Sequence, residues 1–176
     1  VLPAWIALYF WKCTTPALRR AFYRSVMHKV AVEPVPESAA FGIAVPLDQA
    51  APFLTGFLVE GQAPGDRRAQ PQVDFKFASP DYFKTIGMTL LSGRAFTDAD
   101  DNRATPVAIV SDAVARRVWP NEDPIGKRVH YWSVDSTAWR TIVGVAGDHP
   151  WRSLREPTPS VYVPLQPATC PGPFFI

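Results

Sequence analysis

Ser79-Pro80-Asp81-Tyr82-Phe83-Lys84-Thr85-Ile86-Gly87 opens the stretch that decides the fold of this chain, and Val161-Tyr162-Val163-Pro164 closes it. Between them stand Leu91-Ser92-Gly93-Arg94-Ala95-Phe96, Pro106-Val107-Ala108-Ile109-Val110-Ser111, Trp119-Pro120-Asn121-Glu122-Asp123-Pro124-Ile125-Gly126-Lys127-Arg128 and Trp139-Arg140-Thr141-Ile142-Val143-Gly144-Val145-Ala146-Gly147-Asp148. Ser79-Pro80-Asp81 reads as a helix N-cap with an acidic residue where the helix dipole favours it. Tyr82, Phe83 and Ile86 anchor the two turns that follow, and Gly87 is a left-handed terminator. A short strand is expected over Met88 to Leu91. Val107 to Val110 is a continuous apolar run, suited to a strand covered on both faces. Ser111 or Asp112 then caps a helix with Val114 and Val118 on one side, and Pro120 stops it after Trp119. Strands are expected again at Arg128 to Ser133, Trp139 to Ala146 and Ser160 to Pro164.

Upstream, Leu2 to Trp11 is about half the length that crosses a membrane and has no basic leader or small-residue cleavage site, so it reads as a buried strand. Thr15-Pro16 starts a helix whose apolar stripe is Leu18, Ala21, Phe22, Val26 and Val30, with Arg19, Arg20, Arg24 and His28 mostly on the solvated side. Pro34 and Pro36 end it, and Ser38 to Val45 completes a strand-helix-strand unit of the size of a right-handed crossover. Phe53 to Glu60 and Gln72 to Ala78 are further strands. In the second, Val73, Phe75 and Phe77 alternate with Asp74 and Lys76, which predicts one face toward water. Gly61 to Pro71 is a polar loop. The chain contains no internal repeat and no low-complexity segment.

With 176 residues, 47% of them hydrophobic and 19% charged, the chain is long enough for a real core in one domain or two small lobes. Its 19 prolines cut it into short pieces and favour strands and turns over a helical bundle. The formal charge of +2 is small and its positive residues are scattered, which argues against a nucleic-acid partner. Cys13 and Cys170 lie near opposite ends, and nothing in the sequence brings their Cα atoms within bridging distance. Two unrelated small apolar residues is the simpler reading.

The chemistry-bearing residues form no strong constellation. Asp98-Ala99-Asp100-Asp101-Asn102 echoes the start of a calcium loop, but the positions that need glycine and glutamate hold Arg103 and Ile109. It reads as a solvated acidic turn capped by Thr97 or Asp98, and no metal is expected. Asp148-His149 follows a strand, where loops often carry catalytic groups. There is no G-x-S-x-G elbow, so a hydrolytic set would rest on Asp148, His149 and a serine such as Ser111 or Ser79. His28 and His130 show no zinc-like spacing with the cysteines. Gly144-Val145-Ala146-Gly147 lacks the lysine of a phosphate loop, and its glycines read as close packing or a bulge at a strand end. No cofactor is expected. The six tryptophans do not form one stripe, and their simplest role is anchoring loops on the core.

In their order, the segments quoted above resemble the periplasmic core domain of MacB-type permeases of ABC transporters. That family runs S-P-x-Y-F-x-T-x-G, G-R-x-F, an acidic loop, P-V-A-I-V, a helix ending in W-P, D-P-I-G-K-R, W-x-x-I-V-G-V-x-G-D and V-Y-x-P. Arg19-Arg20-Ala21-Phe22-Tyr23 and Glu37-Ser38-Ala39-Ala40 also look like the family, particularly its duplicated FtsX/MacB-type permeases. Val35-Pro36 departs from the usual proline and glycine turn. The family continues past V-Y-x-P with another strand-helix-strand unit, whereas Phe174-Phe175-Ile176 looks like the opening of that strand, so the chain resembles a C-terminally truncated fragment.

The resemblance implies a module on the periplasmic side of the bacterial inner membrane that follows the movement of transmembrane helices and carries no catalytic residues. Its implied partners are the rest of the permease, an ATPase on the cytoplasmic side and an envelope adaptor or substrate. The expected fold is α/β (α+β) over residues 1–176, with two small lobes of mixed sheet: a porter-like strand-helix-strand lobe at about 1–60 and 140–176, and an inserted lobe at about 61–139. An unpaired edge at the C-terminal strand is expected to favour self-association. The alternatives are a small ester or lactone hydrolase using Asp148, His149 and Ser111, metal-assisted or not, and a glycan- or peptide-binding module using the tryptophans.

Overall fold

Strands form where branched and aromatic residues run between proline and glycine punctuation. The computed structural model describes residues 5–6, 21–22, 25–26, 28–29, 38–40, 42, 54–62, 70–100, 105–131, 138–149, 157–165 and 174–175. Its strands are β1 Trp5–Ile6, β2 Leu54–Val59, β3 Gln72–Ala78, β4 Leu90–Gly93, β5 Val107–Ser111, β6 Arg128–Tyr131, β7 Arg140–Ala146, β8 Ser160–Pro164 and β9 Phe174–Phe175. The helices are α1 Tyr82–Thr85 and α2 Asp112–Val118, and residues 21–22, 25–26 and 28–29 are also helical. Among the described residues no helix is long and apolar enough to cross a membrane.

Seven strands form one sheet in the order β4-β7-β5-β8-β3-β2-β6, and β6 pairs back onto β7. Six of them therefore close into a ring, with β4 laid outside on β7. The pairings β3–β8 and β5–β7 are parallel and the others antiparallel, so the sheet is mixed as the sequence implies. The α+β class holds. The closure was not expected: the sheet takes strands from both stretches that the sequence assigns to separate lobes. It is made by Arg128 opposite Thr141 and Val129 opposite Arg140.

Each ring strand sends alternate residues inward. Phe57 and Val59, Val73 and Phe75, Ala108 and Val110, Val129 and Tyr131, Ile142 and Val145, and Val161 and Val163 form one buried cluster, joined by Val114 and Trp119. On β7 the inward residues are three apart instead of two, because the register with β5 jumps from Ala108 opposite Ile142 to Ile109 opposite Gly144. Val143 is the extra residue of a β-bulge, which bends the strand and reverses its alternation. A second cluster covers the outside of β5 and β8, where α1 contributes Tyr82 and Phe83, the following turn Met88 and the segment after β4 Phe96, packed with Val107, Ile109, Ala146 and Tyr162. Sandwiched between the two clusters, β5 and β8 are buried at all five residues.

α1 ends in a Schellman arrangement: Met88 N–H donates to Phe83 O, Gly87 N–H donates to Lys84 O, and Gly87 has φ +71°. Its N-terminus differs from expectation, since no side chain caps it and Tyr82 N–H instead donates to the Ser79 carbonyl. α2 follows the sequence, with Ser111 at its N-cap and its last residue just before Trp119.

Other expectations meet corrections. Asp74 and Lys76, read as a water-facing pair, are buried and form an ion pair with each other, so both faces of β3 are covered. The short strand placed at 88–91 lies at 90–93. The C-terminal strand expected to be free pairs antiparallel with β1, Trp5 opposite Phe175 and Ile6 opposite Phe174. Of the strand expected over 38–45, residues 38–40 are not extended into a ladder and Gly42 makes a single bridge to Ala78. Its remaining positions, the Thr15-Pro16 cap, Cys13, Cys170, Asp101, Asn102 and Trp151 lie outside the described residues.

β4 can reach β7 only because two glycines meet there. Gly93 has φ +74°, and a Cβ on it would stand 2.2 Å from Val143 O and 2.8 Å from Gly144 Cα. Gly93→Ala should therefore cost about 2–4 kcal/mol, from left-handed backbone plus overlap. Gly87→Ala, at a similar φ with nothing within 4 Å of its Cβ, should cost about 1 kcal/mol. Equilibrium urea unfolding of the two variants checks the ranking, and equal losses would refute the close approach.

Candidate functional site

Two residues of the hydrolytic reading, Ser111 and Asp148, are brought to the N-terminal end of α2 and make structural hydrogen bonds there. Ser111 is 1% exposed, and its Oγ accepts from Val114 N–H at 3.4 Å and Ser160 N–H at 3.0 Å. One carboxylate oxygen of Asp148 accepts from Ala113 N–H at 2.7 Å, and the other accepts from the Arg116 guanidinium at 2.7 Å. Arg116 also reaches Asp112, and these two carboxylates hold its guanidinium charged beyond its usual range. Asp148 thus ties the end of β7 to the first turn of α2. It is oriented toward Ala113 and Arg116, and His149 beside it is turned to a different environment, where burial first and the charge of Lys76 second depress its pKa. His149 is therefore a neutral imidazole at neutral pH. Ser79, the other serine considered, is buried with its carbonyl in the turn before α1, and His130 tilts against Trp139 with centroids 5.6 Å apart. His28 is exposed on its helix.

A further set of ionisable groups lies on the outward face of β3. Lys76 Nζ donates to Asp74 Oδ2 at 3.0 Å, with the two side chains 4% and 3% exposed. In the parallel pairing Asp74 lies opposite Ser160 and Lys76 opposite Tyr162. Tyr82 of α1 stacks toward Tyr162 with centroids 6.4 Å apart. Burial, then Tyr162, then the Asp74 carboxylate push the Tyr82 phenol well above its ordinary value. The side chains that influence one another here, Asp74, Lys76, Tyr82, Tyr162 and His149, come from β3, α1, β8 and the end of β7. Chemically the cluster places opposite charges in a dry layer, and neither charged group reaches solvent.

This cluster was missed in the sequence because alternation alone cannot tell a solvated face from a covered one. The available signal was a complementary one: Asp74 and Lys76 are opposite charges two apart, hence neighbours on one strand face.

The acidic turn is also built differently from its sequence reading. Asp100, taken as solvated, is 7% exposed. Arg94 grips it with two hydrogen bonds, at 2.7 and 2.8 Å, and Thr97 donates its N–H at 2.8 Å and its hydroxyl at 3.0 Å. Asp98 remains exposed. The Arg94 guanidinium is the main reason that the Asp100 carboxyl titrates below its usual range, opposed by burial and assisted by Thr97. Arg94 in turn is held by its N–H to Val143 O at 2.9 Å, at the bulge of β7. The turn is therefore fastened to the ring's most irregular point.

Fold and site together define an α+β domain in which the strongest polar groups join strand ring to cap and loop. Residues 19–170 match the MacB-like periplasmic core domain, and the chain belongs to that family. Solved structures with a similar fold include the periplasmic region of MacB from Actinobacillus actinomycetemcomitans, at 16% identity and TM-score 0.56, covering 86% of this chain and 62% of that one. A domain of a putative permease protein from Porphyromonas gingivalis matches at 18% identity and TM-score 0.54, covering 84% and 64%. The extracellular domain of the noncanonic ABC-type transporter YknZ from Gram-positive bacteria matches at 15% identity and TM-score 0.52, covering 80% and 60%. The chain thus spans less than two thirds of the length of each. A comparison with curated proteins finds no match.

Asp100 generates a pH-dependent prediction. Its folded pKa lies below the unfolded value of about 3.9, so its contribution to stability is complete above that value and is lost as pH falls through the folded pKa. Asp100→Asn should be less stable than wild type by roughly 1–3 kcal/mol at neutral pH. The two should converge on acidification below the carboxylate range. Urea unfolding of both proteins across that range reads the gap, and a gap that stays constant in acid would contradict the assignment.

Proposed function

We propose that this chain is a non-enzymatic, extracytoplasmic module of an ABC-type permease, standing on the periplasmic side of the bacterial inner membrane. The module passes movement of the membrane helices to whatever the transporter handles outside. The observation that carries this reading is the closed ring, joined to family membership over residues 19–170. A ring with both edges of six strands paired resists shear, so a displacement applied at one place moves the whole body. The polar residues described above serve the same end. Asp148 and Ser111 hold α2 against the ends of β7 and β8, and Asp100 fastens the turn after β4 to the bulge of β7.

The partners that follow are the remaining parts of the permease, an ATPase on the cytoplasmic side, and an adaptor or substrate in the envelope. Deleting residues 19–170 from the full-length permease is expected to abolish transport while the ATPase subunit is still made at its normal level. Transport that continues unchanged would overturn the proposal.

A further inference from the structure

We propose that one mouth of the strand ring is a carboxylate-binding site, in which the guanidinium of Arg140 receives an acid borne on an apolar group and the neighbouring aromatic side chains receive that group.

Position comes first. Arg140 is the first residue of β7 and lies opposite Val129, whose side chain belongs to the ring interior. Directly opposed residues of an antiparallel pair share a face, and Arg140 stands two residues before the inward Ile142, so its side chain enters the ring. The ends of β3, β6 and β8 come together here with the starts of β5 and β7, since Ala78 is opposite Pro164 and Val107 is opposite Thr141. Arg140 Nε donates to Tyr131 Oη at 3.0 Å, and its Cζ lies 5.4 Å from the Tyr131 ring centroid. Tyr131 packs on Phe75 with centroids 4.4 Å apart, and Phe75 packs on Phe77 at 4.9 Å. Phe77 is half-buried, so an aromatic wall runs from the guanidinium to a side chain that meets solvent.

Charge points to the ligand. Of the described arginines Arg140 is the one that is buried, at 9% exposure. Arg94, Arg116 and Arg128 are exposed, and each is paired with a carboxylate. Arg140 takes part in no ion pair among the described residues, and its one hydrogen bond there is the one from Nε. Burying a cation costs hydration, and one phenol with its aromatic face returns only part of it. Neither terminal nitrogen is fully enclosed, so the outer edge of the guanidinium fork meets solvent and can be reached from outside. That planar fork matches the two oxygens of a carboxylate. The aromatic wall beside it favours an acid with an apolar body over a bare anion.

The site goes beyond the transmitter reading and does not depend on it. Sodium benzoate is added to the folded chain, with sodium chloride at equal ionic strength and uncharged benzamide as controls, and the Arg140 Nε–H resonance is followed in a nitrogen–proton correlation spectrum. Benzoate should shift it saturably with a Kd of about 10 mM or tighter, and neither control should. N-acetylphenylalanine, whose carboxylate ends a peptide unit, separates the sources of such an acid: tighter binding than benzoate assigns the site to a polypeptide C-terminus, weaker binding to a small acid. Arg140→Gln should weaken benzoate binding at least about ten-fold, read from the backbone amides of Val129 and Tyr131. Tyr131→Phe keeps the guanidinium, guards against a variant that fails to fold, and should bind benzoate at least as tightly as wild type because it leaves Nε available as well. No saturable shift of the Nε–H, an equal response to benzamide, or unchanged binding in Arg140→Gln would overturn the proposal.

Discussion

The geometry of the whole domain depends on how β7 divides one of its edges. Along the other edge it pairs with β5 from Val107 to Ser111. On the divided edge Arg140 and Thr141 pair with β6, Gly144 to Ala146 pair with β4, and Val143 stands between them as the bulge. A regular strand could keep only one straight partner there, because its twist and alternation run on unchanged. The bulge bends β7 so that its first half closes the ring and its second half receives β4. The glycines at the crossing follow from this, since a Cβ on Gly144 would stand 2.6 Å from Arg94 O. Arg94 then carries the arrangement outward, with its N–H on Val143 O and its guanidinium on Asp100.

The parts of this fold that were legible in the sequence are those set by neighbours in the chain. The apolar run at Val107 to Val110 read as a strand covered on both faces, and β5 is buried throughout. Gly87 read as a terminator, and Ser111 as a cap, because each makes its capping hydrogen bond within a few residues. Ring closure was not legible, since nothing in the residue types of Arg128, Val129, Arg140 and Thr141 favours the register in which they meet. Alternation in β3 was read correctly, yet its meaning changed because the second face, with Asp74 and Lys76, is buried as well. Asp100 went the same way: an acidic run looks solvated until an arginine six residues earlier is folded onto it.

For the candidate site the lesson is narrower. Asp148, His149 and Ser111 do come near one helix end, so the sequence reading grouped them with reason. The hydrogen bonds of Asp148 and Ser111 run to backbone N–H groups and to Arg116, which makes these two fasteners of α2. The charges that sequence reasoning misplaced are Asp74 and Lys76, which form an ion pair at 3.0 Å with both side chains buried.

Closure of the ring between β6 and β7 is the claim on which the rest stands. Arg128 and Thr141 are directly opposed there, while Ile142 N–H donates to Lys127 O in the adjacent pair, so Arg128 and Thr141 form a non-hydrogen-bonded antiparallel pair with closely approaching Cα atoms. A nuclear Overhauser spectrum of the folded chain should contain a strong cross-peak between the Hα protons of these two residues. Its absence, with the β2–β6 and β5–β7 contacts present, would mean that the sheet is open.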